Sequence, residues 1–168
     1  MRVMGVDCGS EYTGYGVVEQ VDGQRELLCR AAGAVRLKSK DAMAMKLRQI
    51  FAELTAIMSE HQPEVVAIEE VFYAVNVKSA LKLGQVRGVA MLAASSLGLP
   101  VAEYSPLSVK SAVVGYGRAE KQQVQQMVMR LLKLSEPPEP ADTADALAVA
   151  ICHIHTAATL KRYQSTAS

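Results

Sequence analysis

Four carboxylates lying far apart along the chain, Asp7, Glu69, Asp142 and Asp145, have the setting that chemistry requires. Asp7 stands near the end of the strand-like run from Arg2 to Cys8, and Glu69 ends the run from Val65. Sheets of α/β type place reacting groups at such strand ends. Asp142 and Asp145 stand three residues apart at the expected start of the last helix, so both project from one face. Taken singly, each acid has a structural explanation, as a loop cap or as a partner for a helix dipole. Brought together, the four repel and raise one another's pKa, which divalent cations would relieve. Oxygen ligands that need no Cys or His predict Mg²⁺ or Mn²⁺ rather than zinc. Two such ions held by shared carboxylates are the standard arrangement for in-line phosphodiester hydrolysis.

The elements that must position these acids follow from pattern. Residues 2–8 read as a buried strand that ends at the Gly9-Ser10 turn. Thr13 to Val21 and Arg25 to Leu37 are β-rich, with Asp22-Gly23 as a hairpin signal between them. Apolar residues then recur at helical spacing (Met43, Leu47, Ile50, Leu54, Ile57), predicting a helix over 41–62 that Pro63 stops. Val65 to Glu69 is a short buried strand. Asn76 is the expected N-cap of a helix to about Leu97, closed by Gly98. A strand from Pro100 to Tyr104 leads into a helix started by Ser105-Pro106. After the Gly115-Tyr116-Gly117 turn a helix is expected over 119–134. The proline-rich stretch 135–140 is a loop, and the last helix covers 141–160. The order βββαβαβααα predicts one α/β domain over residues 1–160: a mixed five-stranded sheet, three antiparallel strands then parallel ones, flanked by helices. Residues 161–168 are expected to form a short C-terminal tail.

Composition narrows the class. At 168 residues, half of them hydrophobic, the chain suits a single globular domain without repeats or low-complexity segments. Cys8, Cys29 and Cys152 are scattered without ligand spacing, so small buried hydrophobes in a reduced, cytoplasmic protein are expected. Asp7 interrupts the N-terminal apolar run too early for a signal peptide. The longest apolar-leaning stretch, Gly88 to Ala102, is too short and broken to span a bilayer. Net charge is only +1, but Lys and Arg number eight against eleven acids in residues 1–77, eight against two in 78–133 and two against four in 134–168. A basic middle beside acidic ends suits a phosphate-binding face next to a carboxylate metal site, although solvated helix faces would give the same counts.

Beyond pattern, Gly5-Val6-Asp7-Cys8-Gly9-Ser10 with Thr13-Gly14-Tyr15-Gly16-Val17, the run Ala67 to Phe72, the run Ser79 to Gly88, and the run Ala141 to Ala148 resemble the motifs of RuvC-type Holliday junction resolvases. The likeness spans residue 3 to about residue 155. It implies a ribonuclease H-like fold, a homodimer, and a crossover junction endodeoxyribonuclease that nicks four-way junctions symmetrically, aided by the branch-migration proteins RuvA and RuvB. By this resemblance the metal-binding and catalytic acids are Asp7, Glu69, Asp142 and Asp145, with two Mg²⁺ ions, and Lys110 and Lys121 act at the scissile phosphate. Phe72 matches an aromatic that stacks near the junction centre. Asn76, Lys78, Lys82, Arg87 and Arg118 join Phe72 and the two lysines as expected DNA contacts. Glu70 is excluded from the metal set because strand alternation turns it away from Glu69. Three positions depart from the family pattern: Cys8 replaces a usual Pro, Val75 stands where a basic residue is frequent, and the tail carries only Lys161 and Arg162 as bases.

Other residues rank lower. His153 and His155 lack the cysteines of a zinc site, so core or surface roles are expected. Met43 and Met127 read as core filler. Two rival functions are weighed. An actin- or Hsp70-like ATPase would need a second lobe, and a non-catalytic junction-binding relative would not need to keep all four acids.

Overall fold

The computed structural model describes residues 1–21, 26–70 and 76–166, with side chains described as far as Leu160. The Asp22-Gly23 hairpin and the positions Phe72 and Val75 therefore lie outside the described residues, as do the side chains of Lys161 and Arg162.

The chain forms β1 (Arg2–Cys8), β2 (Tyr12–Gln20), β3 (Leu27–Arg36), α1 (Met43–His61), β4 (Val65–Glu69), α2 (Val77–Ser96), β5 (Val101–Tyr104), α3 (Pro106–Val114), α4 (Lys121–Leu132) and α5 (Ala141–Thr166). The five strands make one sheet in the order β3-β2-β1-β4-β5. Pairing is antiparallel from β3 to β1 and parallel from β1 through β4 to β5. This is the element order and mixed sheet that the sequence predicts, and the boundaries shift for local reasons. Helix α1 starts at Met43, after the extended Ala42, and ends where Gln62 turns left-handed ahead of Pro63. Helix α4 is shorter than expected: Glu120 and Gln123 form a reciprocal capping box that sets its start, and Lys133 turns left-handed at φ 53 to stop it. Asn76 caps α2 as predicted, accepting from the Ser79 N–H at 2.9 Å, and Ser105 caps α3 by accepting from the Ser108 N–H at 3.1 Å.

Strand alternation splits the interior into two layers. Met4, Val6, Val17, Val66 and Ile68 pack on one face with Ile50, Leu54 and Met58 of α1 and Val86 and Ala90 of α2. Val3, Val18 and Ala67 pack on the other with α3, α4 and the buried run Leu147–Cys152 of α5. Two expectations are corrected here. The longest apolar segment is Ala141–Leu160, which has the length and hydropathy of a membrane span, yet 56% of its most apolar window is buried within the protein. It is apolar on most sides because it lies between the sheet and α3–α4, and it continues as helix to Thr166. Cys29 is only half-buried on β3, whereas Cys8 and Cys152 are buried.

Helix α5 lies almost backbone-to-backbone on β1 and β2. A Cβ at Gly5 would collide with the main chain of Ala146 and come within 2.7 Å of the Ala150 nitrogen, and one at Gly14 would collide with the Asp142 carbonyl. Only glycine permits that approach. Gly14→Ala is expected to lower folding stability by about 1–3 kcal/mol, the usual cost of overpacking. Urea midpoints of Gly14→Ala against the parent chain check this.

Candidate active site at the strand ends

Asp7 shares the sheet face of Val3, and Glu69 shares that of Ala67, so both carboxylates look toward α5. Their strands are parallel neighbours, with Val6 paired to Ile68, which sets the two acids side by side at the same edge. Asp7 is opposite Gly14 on β2, and Gly14 abuts the Asp142 backbone. The first turns of α5 thus deliver Asp142 and Asp145 to the acids of the sheet. A Cβ placed on Gly9 would stand 3.1 Å from Asp142 Oδ1, so the turn after β1 closes one side.

Asp7 and Glu69 both respond to their acidic neighbours. Burial, then Asp145, Glu69 and Asp142, push the Asp7 carboxyl up to about 7, while Lys121 pulls it down. Burial and Asp145 likewise raise Glu69, opposed by Lys110 and Lys121. Lys121 Nζ donates to Asp145 Oδ2 at 2.6 Å, and that bond raises the lysine's own pKa. A cleft of about 210 Å³ joins these groups, lined by Glu69, Pro106, Lys110, Lys121, Asp145 and Ala148 among others. A larger hollow of about 700 Å³ between the β1–β2 turn and residues 36–41 contains none of the four acids.

The donor set fits hard divalent cations: four carboxylates with no Cys or His among them, two of which, Asp7 and Glu69, are pushed toward the protonated form. Among the described residues no three Asp, Glu, His or Cys side chains already stand at ligand distance around one point. The acids are neighbours at one edge, not a closed coordination shell, and Asp145 is held by Lys121.

The other expected residues are distributed as follows. Lys110 and Lys121 join the acids. Arg118, Lys78 and Lys82 are exposed, and Asn76 spends its side chain capping α2. Arg87 is committed elsewhere: its guanidinium pairs with Glu103 of β5, leaving its side chain 22% exposed. Glu70 follows the last residue of β4, and its backbone N–H donates to the Tyr104 carbonyl at 2.8 Å. His153 and His155 stay out of the acid group. His153 Nδ1 is 2.9 Å from the Tyr104 hydroxyl, and His155 Nδ1 is 2.9 Å from the Ala112 carbonyl. Sequence reasoning missed the seat made by Gly9 and Gly14, although glycines at alternate positions 14 and 16 of a strand were a visible signal.

This sheet order, with acids on β1, β4 and the helix that crosses them, defines a ribonuclease H-like protein. Residues 3–153 match the family described as crossover junction endodeoxyribonuclease RuvC. The chain is 66% identical to the enzyme of that name from Koribacter versatilis, over 99% of this chain and all of the relative. It is 58% identical to that from Acidobacterium capsulatum, covering 98% and 99% of the two. The solved Thermus thermophilus RuvC in complex with Holliday junction substrate is similar at TM-score 0.88 and 35% identity, over 94% of each chain. The chain belongs to the crossover junction endodeoxyribonuclease RuvC family.

Titration of Asp7 is measurable. Its folded pKa of about 7 lies above the ordinary 3.8, so the folded state holds an extra proton between those values. Its penalty on folding is absent below about pH 4 and grows as pH rises through 7. Asp7→Asn should therefore stabilise the metal-free chain by roughly 2–4 kcal/mol at pH 8, with the gain vanishing near pH 4. Chemical denaturation in EDTA at the two pH values reads this.

Proposed function

We propose that this chain resolves four-way DNA junctions by hydrolysing a phosphodiester in each of two strands of like polarity, with two Mg²⁺ ions held by Asp7, Glu69, Asp142 and Asp145. One observation carries the reading: β1, β4 and α5 bring four acids to one edge, where burial and mutual repulsion leave Asp7 near pKa 7. When bound there, the ions neutralise the carboxylates, activate a water for in-line attack and stabilise the departing 3′ oxygen. Asp7, on which Glu69, Asp142 and Asp145 all act, would be the central acid of the set that holds the ions. Lys110 and Lys121 border the cleft and supply positive charge to the phosphoryl oxygens. Lys78, Lys82 and Arg118 lie exposed for the DNA backbone, which makes binding shape-led and salt-sensitive. The family matches favour this reading over an ATPase or an inactive binder. It carries with it cytoplasmic residence and cooperation with RuvA and RuvB.

Paired incision needs two centres, and we place the homodimer contact on α2. Val77, Leu81 and Leu92 are 77%, 65% and 58% exposed, and the open Gly84 and Gly88 lie between them on the helix. Leu81→Arg should convert the dimer to monomer in sedimentation velocity and unpair the two nicks.

The decisive experiment incubates a synthetic four-way junction, beside linear duplex of the same sequence, with Mg²⁺. Paired nicks are expected on the junction alone. Asp7→Asn should cut at least 100-fold more slowly while still binding. Equal cutting of linear DNA, or full activity of the variant, defeats the proposal.

A further inference from the structure

The turn between α3 and α4 presents an aromatic to the outside. Tyr116 is 46% exposed and Leu107 beside the same turn is 63% exposed. A Cβ on Gly117 would lie 2.7 Å from Leu107 Cγ and 3.1 Å from Ser111 Oγ, so Leu107 packs against the residue next to Tyr116. The Tyr116 hydroxyl donates to Gln123 Oε1 at 2.7 Å, and the same oxygen accepts from the Glu120 N–H at 2.8 Å. The phenol is thus tied to the capping box of α4, one residue from Lys121, while much of the residue remains uncovered. Leu107 adjoins Pro106, which lines the acid cleft with Lys110 and Lys121. Arg118, two residues on, is exposed.

An anchored ring and a leucine, bordered by Lys110, Arg118 and Lys121 next to a phosphodiester-cleaving centre, match a nucleic-acid strand: cations for phosphates and a π-face for a base or sugar. We infer that Tyr116, supported by Leu107, packs against a nucleotide flanking the scissile phosphate and fixes that strand in the cleft. This rests on the resolvase reading and assigns it a contact residue. The Gln123 tie lowers the cost of ordering the ring when DNA arrives. Glu120, also at this turn, carries the opposing charge, and its backbone rather than its carboxylate holds the anchor.

The test uses the full chain, a four-way junction with 2-aminopurine at each nucleotide flanking the mapped cut in turn, and Ca²⁺ in place of Mg²⁺ to hold back cutting. The parent and Tyr116→Phe should quench one of these probes, and Tyr116→Ala and Tyr116→Leu should not. Tyr116→Ala should weaken junction affinity about ten-fold, within the usual range for a stacked base. The slope of affinity against salt should stay unchanged for Tyr116→Ala, whereas Arg118→Ala should reduce it by about one ion. The leucine variant, which keeps apolar bulk, guards against loss of fold in the alanine variant. Quenching and affinity like the parent's in both ring-less variants would overturn the inference while leaving junction cutting intact. Failure of the parent to bind the junction would remove both readings together.

Discussion

The close seat of α5 on β1 and β2 is the constraint from which the site follows. Gly5 and Gly14 remove the side chains that would otherwise hold the helix away from the sheet, and Ala146 and Ala150 keep the facing surface shallow. Because the helix lies this low, its first turns reach the sheet edge where β1 and β4 end, and its two aspartates meet Asp7 and Glu69. A helix riding a few ångströms higher, as ordinary side chains at an interface require, would separate the acids into two unconnected pairs. Packing that stabilises the fold is therefore the same packing that concentrates negative charge.

That concentration is unfavourable for folding. Asp7 is pushed to about 7 by burial and by three acids, and Lys121 offsets part of this by binding Asp145.

The two faces of the sheet divide the work. On the α5 face Glu69, Asp145, Lys110 and Lys121 line the cleft. On the other face α1 and α2 cover the strands, and α2 keeps an outward row of Val77, Leu81 and Leu92. Arg87 ties α2 to β5 through Glu103, so this helix is fastened to the strand beside the one that bears Glu69.

Much of this was legible in the chain itself. Residue pattern alone placed Asp7 and Glu69 at strand ends, put Asp142 and Asp145 on one helix face, and marked Asn76 and Ser105-Pro106 as helix starts, because periodicity, proline and capping chemistry act within a few residues. Resemblance to the family then assigned those acids a common role. What tertiary structure decided was proximity. That Arg87 would turn to Glu103 rather than outward, that Lys121 would hold Asp145, that Cys29 would stay half-exposed and that α5 would be largely buried depend on which surfaces meet and how closely. A one-dimensional pattern records which face of an element is apolar; the distance to its partner is set by the volumes that fill the space between them.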